Sequence, residues 1–244
     1  LFEIKKFKPE FKSDNKTFIN LSILIGISLF LGSALQQVAL LHTDVANAAF
    51  FTIFYVPMVP IIIFLFKRTS IHWSVWPSVV LCLIGGYLLT NFYDATVRLG
   101  DSLVILGALF WSTHIIFTGI IVKKYDLPLT IGAVQTLIVA SFSFVIALIY
   151  EEFIFIEIMK EINSILYAGI LSGGFAFVLQ IYAQKNIAPA PAAIIFSLEG
   201  VFATIAAWYI LNQILDINNL LGCLFILCGV LLSQLLPLVQ KRYS

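Results

Sequence analysis

Charge is what this chain has least of. Only 11% of its 244 residues are Asp, Glu, Lys or Arg, against 61% hydrophobic residues and a mean hydropathy of +1.02; soluble domains hold about 25% charged residues. A water-soluble globule is excluded. Cysteine is scarce too: Cys82, Cys223 and Cys228 each fall inside an apolar block without a His or Cys partner at metal-ligand spacing, and they read as small packing residues. There is no Walker loop, zinc motif, paired-acid motif or nucleophile elbow. ATP-driven transport within the chain therefore has no support, and neither an enzyme nor a cofactor or metal site is expected. The basic residues do not interleave with aromatic platforms, so nucleic acid is not an expected partner. No cleavable signal peptide is visible, because the chain opens with the polar stretch Leu1 to Lys16. It opens on Leu rather than Met, so the native start is expected to precede it.

What the chain has is long apolar runs. They come in blocks of about 20 residues, the length a helix needs to cross a hydrocarbon core roughly 30 Å thick at about 1.5 Å per residue. The alternating stretches of about 10 residues that a membrane barrel needs are absent. The runs predict an all-α polytopic membrane protein with eight helices over 18–41, 46–66, 73–92, 102–122, 129–150, 164–184, 190–211 and 217–237.

The charges then orient it. With the first span running outward, one face collects Lys5, Lys6, Lys8, Lys12, Lys16, Lys67, Arg68, Lys123, Lys124, Lys185, Lys241 and Arg242, twelve of the fourteen basic residues. The other face keeps Arg98 and Lys160 with Asp44, Asp94, Asp101, Glu151, Glu152, Glu157, Glu161 and Asp216. The positive-inside bias places both termini in the cytoplasm of a multi-pass cell-membrane protein. Trp73 and Trp76 at one span end, and Trp208 and Tyr209 near another, suit the interfacial aromatic belt. Trp111 sits mid-span and calls for bundle packing or cavity lining. The acidic and apolar segment from Glu151 to Ser164 fits an amphipathic surface helix and an ordinary loop about equally well.

Spans one to three resemble spans six to eight at a constant step of 144 residues. Gln36 matches Gln180, Leu35 matches Leu179, Ala39 matches Ala183, Ala48-Ala49 matches Ala192-Ala193, and Gly85 matches Gly229. A step of five spans is odd, so matching helices run in opposite directions across the membrane. Such inverted repeats are a common build for secondary transporters, in which one repeat rocks against the other around a midplane site. A five-helix unit implies ten helices, with the counterparts of spans four and five lying before Leu1. The expected organisation is a basic cytoplasmic segment over 1–17, the remainder of the first repeat over 18–92, the second repeat over 102–237 and a cytoplasmic tail over 238–244.

The residues that carry this pattern also carry a resemblance. Ala34-Leu35-Gln36-Gln37 with Asn47-Ala48-Ala49-Phe50, Gly100-Asp101, Leu179-Gln180-x-x-Ala183-Gln184-Lys185, the run Phe196 to Ala203 and the stretch Gly222 to Gly229 resemble the EamA-domain proteins of the drug/metabolite transporter superfamily. The likeness covers nearly all of 18–237. It implies ten helices in two five-helix repeats and a transporter of metabolites, often an exporter of amino acids or related compounds. Two positions depart from the family pattern: Gly200 stands where Pro usually follows the Glu, and Gln213 where a Glu usually ends that helix. Glycine keeps the backbone pliable without forcing a break, and any family contact made by the carboxylate at 213 is not carried over.

Within this frame Glu199 stands about halfway along its span, where a lone carboxylate costs roughly 2.5 kcal/mol or more to insert. It is the leading candidate for attracting a cationic substrate or holding a coupling proton; a neutral Glu that only ties helices together is the alternative. His114, also mid-span, suits a proton relay or a substrate hydrogen bond, or a structural donor role. Trp111, one turn earlier on the same face, would wall a cavity with it. Gln36, Gln180 and Gln135 offer amides, and Tyr55 and Tyr182 hydroxyls, to orient a substrate, though polar groups of this kind occur widely as interhelical glue. Gln36 and Gln180 are favoured because the repeat relates them. Pro57, Pro60 and Gly200 are candidate kink or gating points, whereas Gly85-Gly86 and Gly169, Gly173 and Gly174 read as close-packing positions. The expected partners are a small molecule and the lipid bilayer, with a coupling proton as a further candidate. A repeat within one chain is compatible with a monomer and with a homodimer. A membrane-embedded sensor or scaffold without transport remains the rival class.

Overall fold

The computed structural model describes residues 15–67, 71–90, 98–212 and 214–243, and every regular element among them is helical. Among the described residues seven helices are long and apolar enough to cross a membrane: Asn15–Ala39, Val45–Phe66, Leu99–Tyr125, Pro128–Tyr150, Ile162–Gln184, Pro189–Ile210 and Ile217–Gln240. An eighth apolar helix, Val75–Leu89, has 15 residues, about 22 Å of rise at about 1.5 Å per residue. It is shorter than the span expected over 73–92, whose last two residues lie outside those described.

Two of the long helices are interrupted near their middles. The first is α2 (Val45–Thr52) followed by α3 (Tyr55–Lys67), and the second is α10 (Pro189–Phe196) followed by α11 (Leu198–Leu211). In chain order the others are α1 (Asn15–Ala39), α4 (Val75–Leu89), α5 (Leu99–Tyr125), α6 (Pro128–Tyr150), α7 (Phe155–Lys160), α8 (Ile162–Leu166), α9 (Phe177–Gln184) and α12 (Ile217–Tyr243). Residues 151–154 are not helical and α7 has only 6 residues, so the acidic connection combines a loop with a short helix.

Between α8 and α9 the residues Tyr167–Ala176 wind as a π-helix. Glycine at 169, 173 and 174 removes side-chain resistance to this wider turn. A Cβ added at Gly173 or Gly174 would meet the carbonyl oxygen of Ala168 or Gly169, five residues back in the same helix, and one added at Gly169 would meet no other helix within 4 Å. The helix contact expected from the spacing of Gly169 and Gly173 is thus not found among the described residues.

The described chain divides into two compact units, Leu1–Leu31 with Phe117–Ile187 and Gly32–Ile116 with Ala188–Ser244. In the first, Phe18, Ile25, Ile121, Val122, Tyr125, Leu127, Ile131 and Ile181 form one buried cluster. Phe18 meets Tyr125 edge-on with ring centroids 5.0 Å apart, a favoured aromatic geometry. In the second, α12 packs along α4. Small residues permit the approach. Gly85 faces the Gly222 carbonyl oxygen and Ile226, and Gly229 faces the Ser78 carbonyl oxygen and Cys82. The packing role expected of Gly85 and Gly86 is met, Gly86 lying against Ile53.

Candidate functional site

The two interruptions fall at corresponding places. Adding a step of 144 to Val45–Thr52 gives 189–196, the bounds of α10, and it carries Ile53 onto Ser197 and Tyr55 onto Glu199. In the first break the Ile53 N–H bonds the Phe50 carbonyl and Phe54 that of Phe51, and Val56 then bonds Ile53. These are three-residue steps that tighten the turn. Pro57 lies in the first turn of α3, where a missing N–H is tolerated, while its ring crowds the carbonyl four residues back, that of Ile53. The break therefore falls one turn before the proline. Pro60 lies inside α3. In the second break the Ser197 hydroxyl donates to the Ile194 carbonyl (2.6 Å) and lies 3.4 Å from the Cys82 sulfur. A serine that bonds its own preceding turn competes with the helix, and this interruption falls three residues before Gly200.

Tyr55 opens α3 and Glu199 opens α11, and the phenol and the carboxyl interact electrostatically. Their contact is looser than a regular hydrogen bond, for the Tyr55 hydroxyl is buried without a partner at hydrogen-bonding geometry. Tyr55 is 4% exposed. Glu199 is accessible at its surface yet has protein on most sides at longer range. A carboxylate set in a helical interruption, with an uncommitted phenol beside it, can hold a cation or a proton and present a hydroxyl to a ligand.

Other candidates gather around the first break. The Gln36 amide on α1 donates to the hydroxyl of Thr52 (3.3 Å), the last residue of α2, which donates to the Ala48 carbonyl (2.7 Å) one turn back. On α5 the Ser112 hydroxyl donates to the Ala108 carbonyl (2.7 Å) and lies 3.4 Å from the Tyr55 carbonyl oxygen. The neighbouring Trp111 and His114 rings meet edge to face at 6.2 Å. His114 is fully buried, and the Trp111 indole fills the notch at Gly32, where a Cβ would stand 3.2 Å from it.

Gln135, Gln180 and Tyr182 belong to the other unit. Gln135 is fully buried, Tyr182 is exposed and Gln180 is half-buried. Gln213 lies outside the described residues. Sequence reasoning missed Thr52, Ser112 and Ser197, which hold the breaks, and Gln184, buried like Gln135. It also missed that the step of 144 carries Tyr55 onto Glu199.

Among the described residues there is no cluster of three or more His, Cys, Asp or Glu suited to a metal. Outside the spans, Lys185 pairs with Asp126 at 2.7 Å, and the hydrogen bond with Asp126 raises the lysine pKa above its ordinary value.

Helices of membrane length, a midway interruption in two of them and a carboxylate at one interruption describe a polytopic membrane protein of the transporter class. Comparison with known proteins agrees. The model of the EamA-like transporter family matches residues 98–235, and the chain belongs to that family. It is 30% identical over 217 residues to an uncharacterized transporter of Archaeoglobus fulgidus, covering 86% of this chain and 67% of that one. It is 29% identical over 147 residues to the uncharacterized transporter YoaV of Bacillus subtilis, covering 57% of this chain but 48% of the relative. A solved crystal structure superposes with a TM-score of 0.73 over 88% of this chain and 75% of its own, at 16% identity, a likeness of fold alone.

Proposed function

We propose that this protein is a secondary transporter that exports small metabolites, such as amino acids or related compounds, across the cell membrane by alternating access. Its substrate or coupling site would lie at the paired helix interruptions, with Glu199 and Tyr55 at its centre and Trp111, His114 and Gln36 around the first break. The observation that carries this reading is that residues 144 apart, Tyr55 and Glu199, stand at the matching interruptions of two helices, where α3 packs on α10. Discontinuous helices that bind substrate or ions near the midplane are the usual site of such transporters.

The repeat reading, 18–92 against 102–237 in opposite orientations with both termini cytoplasmic, has further support in the glycine contacts. Gly85 faces positions 222 and 226, Gly229 faces 78 and 82, and each pair differs by the same step of 144. A contact and its copy are what a pseudo-twofold axis between repeats produces. The full inverted unit would hold ten helices.

The test is a ligand screen followed by flux. Purified protein and Glu199→Gln are heated with a panel of amino acids, amines and nucleosides. A ligand of the folded state stabilises it by about 2.7 kcal/mol at 100 times its dissociation constant. A compound that stabilises the unaltered protein, loses that effect in Glu199→Gln and crosses reconstituted vesicles supports the proposal. Saturable binding without flux overturns it in favour of a membrane-embedded ligand sensor. Flux unchanged in both Glu199→Gln and Trp111→Ala overturns the site.

A further inference from the structure

The acidic end of α5 holds a second buried cluster. Asp101 is fully buried. One of its carboxylate oxygens accepts hydrogen bonds from the Thr43 hydroxyl and, at 3.5 Å, from the Asn47 amide, and the other accepts the Arg98 backbone N–H at 2.7 Å. The Arg98 guanidinium pairs instead with Asp44 at 2.8 Å, near the surface. A carboxylate that only capped its own helix would need the Arg98 N–H alone. Asp101 commits its other oxygen to Thr43, just ahead of α2, and to Asn47 in its first turn, and Gly100 lets this end of α5 abut the Ala39 carbonyl oxygen and Thr43.

Asp101 and Ser112 are eleven residues apart, three turns of α5, and so share one face with Val104 and Ala108 between them. That stripe is buried, and Val104 packs with Ala39, Ala48 and Phe51. Its upper end holds the start of α2, and its lower end, through Ser112, lies against the Tyr55 carbonyl beyond the break. With only 8 residues, about 12 Å of rise, α2 is a short rigid strut between these attachments.

We infer that Asp101 is a positioning residue for the Tyr55–Glu199 site: by holding Thr43 and Asn47 it sets α2 along α5 so that the chain emerges from the break with Tyr55 facing Glu199. This rests on the site reading above. An Asn at 101 has a single acceptor oxygen, so its amide nitrogen must face either the Arg98 N–H or the Thr43 and Asn47 donors, and one side of the cluster is lost.

The test joins Tyr55→Cys and Glu199→Cys, in a background with Cys82→Ala, Cys223→Ala and Cys228→Ala, using a short bifunctional methanethiosulfonate reagent and scoring the linked peptides by mass spectrometry. Asp101→Asn and Thr43→Val are expected to slow linking at least fivefold, Thr43→Ser to restore it, and Arg98→Gln to leave it within twofold. Thermal midpoints are measured beside the rates, since a purely structural role lowers the midpoint without changing the linking rate. If Asp101→Asn does not fold, Thr43→Val and Asn47→Ala, which keep the acid and remove one donor each, decide the question. Linking within twofold of the parent in folded variants overturns the inference. Failure of the parent to link overturns the Tyr55–Glu199 site itself, and this assignment with it.

Discussion

Gly85 lies so close to Gly222 that a methyl group added to it would stand 2.7 Å from the Gly222 carbonyl oxygen, and 2.6 Å from Ile226. The same addition at Gly229 would meet the Ser78 carbonyl oxygen at 2.9 Å and the Cys82 sulfur at 3.0 Å. Overfilling a packed contact costs about 1–3 kcal/mol. Gly85→Ala and Gly229→Ala should therefore lower the thermal midpoint measured by tryptophan fluorescence in one detergent, Gly85→Ala more. Gly169→Ala, with open space around it, should hold or raise the midpoint. Equal midpoints for all three would remove the close-packing account of α4 and α12.

The spans were legible because a membrane leaves few ways to satisfy a backbone: apolar runs bounded by charge must be helices. Expected and observed spans agree within a few residues at Asn15–Ala39, Pro128–Tyr150 and Ile217–Gln240. The interruptions were less legible. Proline acts on the turn before it, so Pro57 marks a break that falls at Ile53 and Phe54, and Ser197 breaks its helix through a hydroxyl bond that composition does not reveal. Ser112 and Thr52 look like ordinary small residues until their partners, Tyr55 and Gln36, are placed. Gln36 and Gln180 are paired in sequence, yet Gln36 reaches Thr52 while Gln180 belongs to the other compact unit.

Pro60 supplies a second prediction. It removes the N–H that would bond the Val56 carbonyl inside α3, whereas Pro57 removes one from the first turn, where none is needed. Pro60→Ala should add a backbone amide that resists hydrogen exchange and stabilise the local helix, by up to about 3 kcal/mol on the interior proline scale. Pro57→Ala should add an amide with little protection. Fast exchange at both positions would mean that the helix does not close over Val56.

The Asp126–Lys185 pair predicts a pH dependence. Because the pairing raises the lysine pKa in the folded protein, its contribution is fully present below the unfolded value of about 10.4. It is lost as pH rises through the higher folded value. The midpoint difference between the parent and Lys185→Gln should be flat from neutral pH to about 10 and shrink above it. It should be small at every pH and smaller in high salt, since the pair is partly exposed. A difference that grows with alkali would show that Lys185 acts through some other contact.

Glu199 and Tyr55 should differ in what their loss does to a ligand. Glu199→Gln keeps size and shape but removes the charge, so the apparent affinity of an amine ligand should fall tenfold or more, about 1.4 kcal/mol per factor of ten. Tyr55→Phe removes one hydroxyl, and a single hydrogen bond contributes about 0.5–1.5 kcal/mol, so the fall should be about threefold to tenfold. Neutral compounds should discriminate little between Glu199→Gln and the parent. If the two groups serve one ligand from the matching interruptions, the double variant should lose less than the sum of the singles, as coupled groups do. Ligand titrations on the four proteins measure that coupling. Strict additivity would mean that the phenol and the carboxyl serve the ligand independently, and the meeting of the two interruptions would then be a feature of packing rather than of binding.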